Sequence, residues 1–465
     1  MRFPVLGLSI WACLCSAIAS AGDGPKQSTA FVHVNVIPMD RERVLSDQTV
    51  IVEDDMIVAM GHSLEVPDGA RVIDGRKTAY LSPGLADMHT HSESPDDLAI
   101  YLVNGVTTLL HMGGAAAGFV ANTVPAVNRG EIPGPRVYTS FKVDGSGAYN
   151  GFVIRSPAEA RAIVGLAKTN GYDFLKVYVG LTPDTFSALA GEAQHLGIPV
   201  VGHGAYAVRI ERQLAEGQVL IAHAEEFFYT FFTPPGVEET DTPPDRGRIA
   251  SAVALAKRYN AAVTADVGTY AAITRQIGRP GEVAKYLARP DAVYLSPQAS
   301  QAWQMSGYAR KTAKLGPKLA FLRQLVKAMA DADVELVLGT DAPTIPGIPP
   351  GFGLHDSLAE LEASGLTRFQ SLATATRSPG QFIRRTKGGI PFGLVAPGYR
   401  ADLILSNDNP LATLAALRTP VGVMVGGRWR DATALQTITR DVRERLRRTS
   451  NAPCAKVTPV YEDLR

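Results

Sequence analysis

Between Ala30 and Val72 apolar and polar positions alternate in short runs. Phe31-Val32-His33-Val34-Asn35-Val36-Ile37 repeats with a period near two, the signature of a half-buried strand. Thr49-Val50-Ile51-Val52 and Met56-Ile57-Val58-Ala59-Met60-Gly61 follow, separated by the turn-forming Glu53-Asp54-Asp55. This pattern predicts a small antiparallel sheet. Strand-like runs return near the other end, at Ala401-Asp402-Leu403-Ile404-Leu405 and from Val421 to Trp429. The economical expectation is one small β-sandwich domain built from both chain ends, residues 22–80 and 391–432.

Residues 81–390 have another rhythm. Short apolar runs end at His91, His111, Phe141, Tyr178, His203, His223, Asp266 and Asp341. Helical patterns lie between them, at Pro157 to Thr169, Pro183 to Leu196 and Arg248 to Tyr259. Buried strands alternating with helices predict parallel βαβ units, and eight of them fit an α/β fold of the (β/α)8 TIM barrel type. Gly268 to Asp333 is long for one connection and is expected to carry extra helices and part of a lid. In the tail, residues 433–465, Leu435 to Arg448 reads as a basic amphipathic helix. Ile438, Val442 and Leu446 share one side, and docking on the barrel is the expected use.

Composition excludes several classes. Hydrophobic residues make up 46% and charged residues 20% of 465 positions, ordinary globular usage. The balance of 46 basic against 45 acidic residues gives no basic surplus, so no nucleic-acid partner is expected. The single long apolar run, Phe3 to Ile18, follows Arg2 and precedes Ala19-Ser20-Ala21. That is the form of a signal peptide over residues 1–21, so a periplasmic or secreted protein without stable membrane insertion is expected after processing. An uncleaved anchor is the alternative, though the run is short for a span. The processed chain would keep only Cys454 and form no internal disulfide.

The chemistry concentrates at the ends of the apolar runs. Pro83-Gly84-Leu85-Ala86-Asp87-Met88-His89-Thr90-His91 puts two histidines two residues apart, on one side of a strand, at the end where barrels hold their sites. Such a pair is either half of a metal site or a solvated loop pair. His203 and His223 close two further runs, and Asp341 closes Leu336-Val337-Leu338-Gly339-Thr340. A shared cation explains their common placement more simply than separate structural roles. Lys176, inside the apolar Phe174 to Tyr178 run, needs a partner or a modification unless it snorkels to the rim. Carbamylation would turn it into a two-oxygen anion able to bridge two metals. Tyr178 shares the Lys176 side of the strand and is a candidate donor to a scissile carbonyl. Glu225-Glu226-Phe227-Phe228-Tyr229 and Phe231-Phe232 either line a pocket or pack a loop.

These features together resemble the amidohydrolase superfamily of metal-dependent hydrolases, and within it the imidazolonepropionase-related, Xaa-Pro-dipeptidase-like branch. Gly105-Val106-Thr107-Thr108, the run from Val395 to Ile404 and Val425-Gly426-Gly427-Arg428 are similar too, so the resemblance spans about residues 30 to 430. It implies two divalent metal ions, with zinc expected. His89, His91 and Asp341 would hold the more buried ion, and His203 and His223 the more exposed one. A carbamylated Lys176 would bridge them, with a metal-bridging hydroxide as nucleophile and Asp341 as proton shuttle. The implied reaction is amide-bond cleavage in dipeptides or N-acyl amino acids. A mononuclear cyclic-amide hydrolase or deaminase is the enzymatic alternative, and a non-catalytic family member the other. A homo-oligomer is allowed for. One position departs from the branch. Where relatives have Arg-Asp before Met-Gly-Gly, this chain has Leu110-His111 before Met112-Gly113-Gly114. His111 is either a further catalytic residue touching substrate, a hydrogen-bond partner behind the metal ligands, or a packed neutral imidazole.

Overall fold

The computed structural model describes residues 28–149 and 151–451. The expected signal segment and the end of the tail lie outside them. The chain opens with β1 (Ser28–Val36), β2 (Leu45–Glu53), β3 (Met56–Gly61), β4 (Arg71–Asp74) and β5 (Tyr80–Pro83). Gly84 then carries it out of the sheet. A Cβ there would stand 2.2 Å from the Thr107 hydroxyl, so only glycine passes. The barrel strands follow: β6 (Leu85–Thr90), β7 (Val106–His111), β8 (Arg136–Asp144), the short β9 (Phe152–Val153) paired to β8, β10 (Phe174–Val177), β11 (Val200–Gly202), β12 (Gln218–Ile221), β13 (Ala262–Thr264) and β14 (Leu336–Val337). The sheet is completed by β15 (Leu403–Ser406), β16 (Gly422–Val425) and β17 (Arg428–Asp431).

The eight apolar runs are the eight parallel strands, in the order β6-β7-β8-β10-β11-β12-β13-β14. The barrel closes between its last and first strands. Met88 N–H donates to Leu338 O at 2.8 Å and His91 N–H to Ala342 O at 2.7 Å. Apolar side chains from seven of the strands, among them Met88, Leu110, Phe174 and Val337, form one cluster with Phe382 and Phe392. Helices Pro157–Thr169 and Pro183–Leu196 match the predicted spans and start at Ser156 and Thr182, whose hydroxyls accept the N–H groups of Glu159 and Thr185. The long stretch after β13 holds helices Val267–Gln276, Glu282–Leu287, Pro297–Gln304 and Gly316–Asp331.

The appended domain pairs as one continuous sheet, in the order β17-β16-β15-β5-β1-β2-β3, with β4 beside β1. Its core includes Phe31, Val50, Leu81, Leu403 and Met424 from both chain ends. One expectation changes here. β4 and β5 run parallel to β1, whereas alternation alone suggested antiparallel pairing throughout. The chain must leave β5 in the direction of β6 to enter the barrel, and that fixes the sense of β5.

The final helix, Ala432–Asn451, packs Val442 and Leu446 against Ala99 and Ile100 of helix Pro95–Val103. Arg445 also meets Asp96 at 2.6 Å, but it is half exposed. Apolar contact therefore dominates the docking. Val442→Ala should destabilise the protein by about 2 kcal/mol, and Arg445→Ala by less than about 1 kcal/mol. Urea unfolding of the two variants checks the ranking, and a larger loss for Arg445→Ala would reverse it.

Candidate active site

The strand ends converge. His89 lies near the end of β6, His91 just beyond it, Lys176 in β10, His203 directly after β11 and His223 two residues after β12. Asp341 follows β14 in the left-handed region, φ 59°, which costs an aspartate on the order of 1 kcal/mol. That turn aims its carboxylate back at β6. Gly339 permits the approach, because a Cβ there would sit 2.5 Å from the His89 Cβ. Asp341 Oδ1 stands 3.1 Å from His91 Nε2 and 3.6 Å from His89 Nε2. Lys176 Nζ is 3.4 Å from His89 Nε2. The His89 and His223 rings lie 4.3 Å apart, and those of His203 and His223 4.8 Å. All six residues that the sequence singled out for metal thus meet at one mouth.

Each imidazole is anchored by the same nitrogen. His89 Nδ1 meets Ala222 O and His91 Nδ1 meets Gly113 O, both at 3.0 Å. A carbonyl only accepts, so these Nδ1 atoms donate and the Nε2 lone pairs are left free. His203 Nδ1 is held by Glu226 and His223 Nδ1 by Asp266. The two carboxylates are themselves fixed by the N–H groups of Gly204 and Ala224. Four imidazoles anchored through Nδ1, beside a carboxylate and a lysine, are the donor chemistry of a divalent-cation site. Burial would lower His223, but the charge and hydrogen bond of Asp266 outweigh it and raise the imidazole to about 10. His89, His91 and Asp341 place their ligand atoms within 4.8 Å of one another, and so do His223, Glu225 and Asp266.

Electrostatics follow from burial. Lys176 is 1% exposed, and burial lowers its ammonium to about 7 against the pull of Asp341. Burial, then the Lys176 charge, holds His89 and His203 well below the usual imidazole range. Burial alone would raise Asp341. The His91 hydrogen bond and the charges of His91, His223 and Lys176 outweigh it and hold the carboxyl below the usual range.

Tyr178 lies against His203, ring centres 4.0 Å apart, and lines a cavity of about 410 Å³ above the site. Glu225, Glu226 and Tyr229 line it as well, whereas Phe227, Phe228, Phe231 and Phe232 pack into the core. Tyr270, Ile273, Tyr308 and Lys311, from the long stretch after β13, form the facing wall. His111 is placed differently. It is 1% exposed, stands behind His91 at 5.6 Å between ring centres, and packs on Phe119. Neither of its ring nitrogens has a hydrogen-bond partner, and Glu93 Oε1 lies 3.7 Å from Nε2.

Sequence reasoning did not assign Glu226 and Asp266 their work on the two histidines. The signal was partial: Asp266 closes an apolar run, but its partner is 43 residues away in the chain. Removing a carboxylate of this kind typically lowers metal affinity about 10- to 100-fold. Glu226→Gln and Asp266→Asn should each weaken divalent-metal binding to that degree while the fold is kept. Competition with a chromogenic chelator measures it, and unchanged affinity in both variants would contradict the anchoring role.

Solved structures share this fold. A bottromycin amidohydrolase superposes with TM-score 0.70 at 23% identity, covering 91% of each chain. A Xaa-Pro dipeptidase with bound methionine gives 0.64 at 18%, covering 87% of this chain and 100% of its own. A prolidase complexed with N-methylphosphonate-L-proline gives 0.65 at 18%, with the same coverage. Comparison with curated protein sequences gives no significant match. The family model described as the amidohydrolase family matches residues 80–430, which is the barrel together with the returning strands of the small sheet. The chain is a member of the amidohydrolase family, a hydrolase of carbon–nitrogen bonds.

Proposed function

We propose that this chain is a periplasmic or secreted binuclear amidohydrolase that cleaves the amide bond of dipeptides or N-acyl amino acids. The observation that carries the reading is Lys176, buried among histidines with its Nζ against His89 Nε2. A mononuclear site has no use for a lysine there. In this reading His89, His91 and Asp341 would hold one zinc ion and His203 and His223 the other, with carbamylated Lys176 offering an oxygen to each. Once bound, the ions would supply polarisation of the scissile carbonyl and activation of the attacking water.

The chain's own groups do the rest. An amine lowered to about 7 is largely neutral above that pH, and only neutral amine adds carbon dioxide. The nitrogen lone pair forms the new N–C bond, and one proton leaves for solvent. Asp341 accepts the proton of the attacking water and delivers it to the leaving nitrogen. Burial, then the charges of Asp341 and Glu226, keeps the Tyr178 phenol protonated, so its O–H is available to the scissile carbonyl oxygen. His111, which stands behind His91, supports that imidazole's position rather than reaching substrate. Tyr149, Tyr178, Tyr206, Tyr229, Tyr270 and Tyr308 line the cavity, a wall suited to bulky or aromatic side chains. The dipeptidase and prolidase among the structural neighbours support a dipeptide-sized substrate.

Metal-loaded protein should hold two metal ions per chain. Lys176→Ala should lose most of its activity and much of the second ion, with partial rescue by small carboxylic acids. Elemental analysis showing one tightly held ion in active protein would remove the binuclear reading. Rebuilding the site from metal-free protein should speed up with bicarbonate and slow as pH falls below about 7, where Lys176 becomes protonated. Asp341→Asn should cut turnover by about 10² to 10⁴-fold while metal content falls far less. Near-normal turnover with both ions bound would take Asp341 out of the proton path.

A further inference from the structure

We infer that Lys142 receives the α-carboxylate of the amino acid that leaves, so the amide cut is the one next to a free carboxyl terminus. The inference rests on amide hydrolysis at this site and names what the leaving side must carry.

Lys142 and Lys176 are register partners on β8 and β10, so their side chains leave the sheet on the same side, toward the mouth. Both amines lie 5.5 Å from the centre of the Tyr178 ring. Lys176 is buried against His89. Lys142 is half-buried at the edge of the cavity, beside Tyr149 and Tyr178, which line it. Its Nζ donates to Tyr149 O at 2.6 Å. An ammonium has three protons, so two donors remain. Gly114 faces the group without a side chain, and a Cβ there would already touch Nζ at 3.6 Å.

No carboxylate among the described residues pairs with these donors. Asp144, two residues on, is taken by the N–H groups of Gly145 and Gly180 and by the Ser146 hydroxyl. Asp341 is turned to His91. Burial lowers the Lys142 amine, and the charges of Asp144 and Asp341 pull it back. A half-buried ammonium fixed by a single carbonyl, with two donors to spare, suits an anion that the ligand brings.

Position identifies the anion. Tyr178 is assigned to the scissile carbonyl oxygen, and Lys142 stands against the same ring. In a dipeptide or an N-acyl amino acid the α-carboxylate is three bonds from the scissile carbonyl carbon, so neighbouring side chains can hold the two groups at once. Two other lysines line the cavity from the stretch after β13. Lys318 is paired with Glu239, and Lys311 lies exposed on the facing wall, over the Tyr308 ring.

L-phenylalanyl-L-leucine and L-phenylalanyl-L-leucinamide are equal in size and differ at the carboxyl terminus. The expected result is a kcat/KM ratio of at least about 100 in favour of the free acid, because a site built for a polar group rejects the analogue lacking it. Lys142→Met should lower that ratio by about 10- to 100-fold, the usual contribution of a charged hydrogen bond. The ratio separates recognition from support. A disturbed loop, or a disturbed Lys176 on which the Lys142 charge acts, would slow both substrates alike. Equal turnover of the two by the native enzyme, or an unchanged ratio in Lys142→Met, would overturn the inference and leave amide hydrolysis standing. A larger fall of the ratio in Lys311→Met would also overturn it, by moving the carboxylate to the facing wall. If no amide is turned over, the proposed function falls and calorimetry on the metal-free protein decides, where no ion can bind the carboxylate. N-acetyl-L-leucine should then bind more tightly than N-acetyl-L-leucinamide, and Lys142→Met should abolish the difference. No difference in the native protein, or one that survives in the variant, would overturn the inference.

Discussion

Four imidazoles and an amine crowd into a nearly dry space no wider than a few side chains, and they can share it only if most of them stay uncharged. Burial and mutual repulsion hold His89 and His203 well below their usual range and bring Lys176 to about 7. Asp341 is the counterweight, kept ionised by His91, His223 and Lys176. His223 is the exception among the imidazoles, raised to about 10 by Asp266 against its burial. Neutral His89 and His203 offer lone pairs, a neutral amine can react, and an ionised carboxylate can take a proton. The chemistry of the site is in this sense the consequence of how the fold manages repulsion there.

The backbone supplies the other half of that management. Nδ1 of each of the four histidines is spent on a carbonyl or a carboxylate, so ring rotation is blocked without using the side that faces the site. The hydrogen bonds that close the barrel between β14 and β6 also set the Asp341 carboxylate against His91. Closure of the sheet and assembly of the site are the same event.

Much of this was legible in the chain. Buried strands of a parallel barrel are short apolar runs, and a polar residue ending such a run stands out, which is why His89, His91, His203, His223 and Asp341 can be singled out from the sequence alone. Lys176 stood out for the complementary reason, a charge inside an apolar run. What stayed hidden depended on pairs distant in sequence. Glu226 reads as one of two acids before an aromatic stretch, and nothing local says that it, and not Glu225, turns toward His203. The parallel sense of β1 and β5 was hidden similarly, because alternation reports which face is buried and not which way a neighbour runs.

The small sheet joins β5 to β15, strands from opposite ends of the barrel sequence. Synthesis proceeds at about 5–20 residues per second, so the strand that covers β5 is made roughly 15 to 60 s after it. Throughout that interval β5 presents an unpaired edge, a template for any passing strand. A barrel finished first would gain nothing from its own completeness, since Leu81 and Val36 still await Leu403 and Met424 to bury them. The vulnerable moment in the life of this molecule therefore falls between the emergence of its first sheet and its last, and a holding chaperone would act on the amino-terminal strands, far from the chemistry.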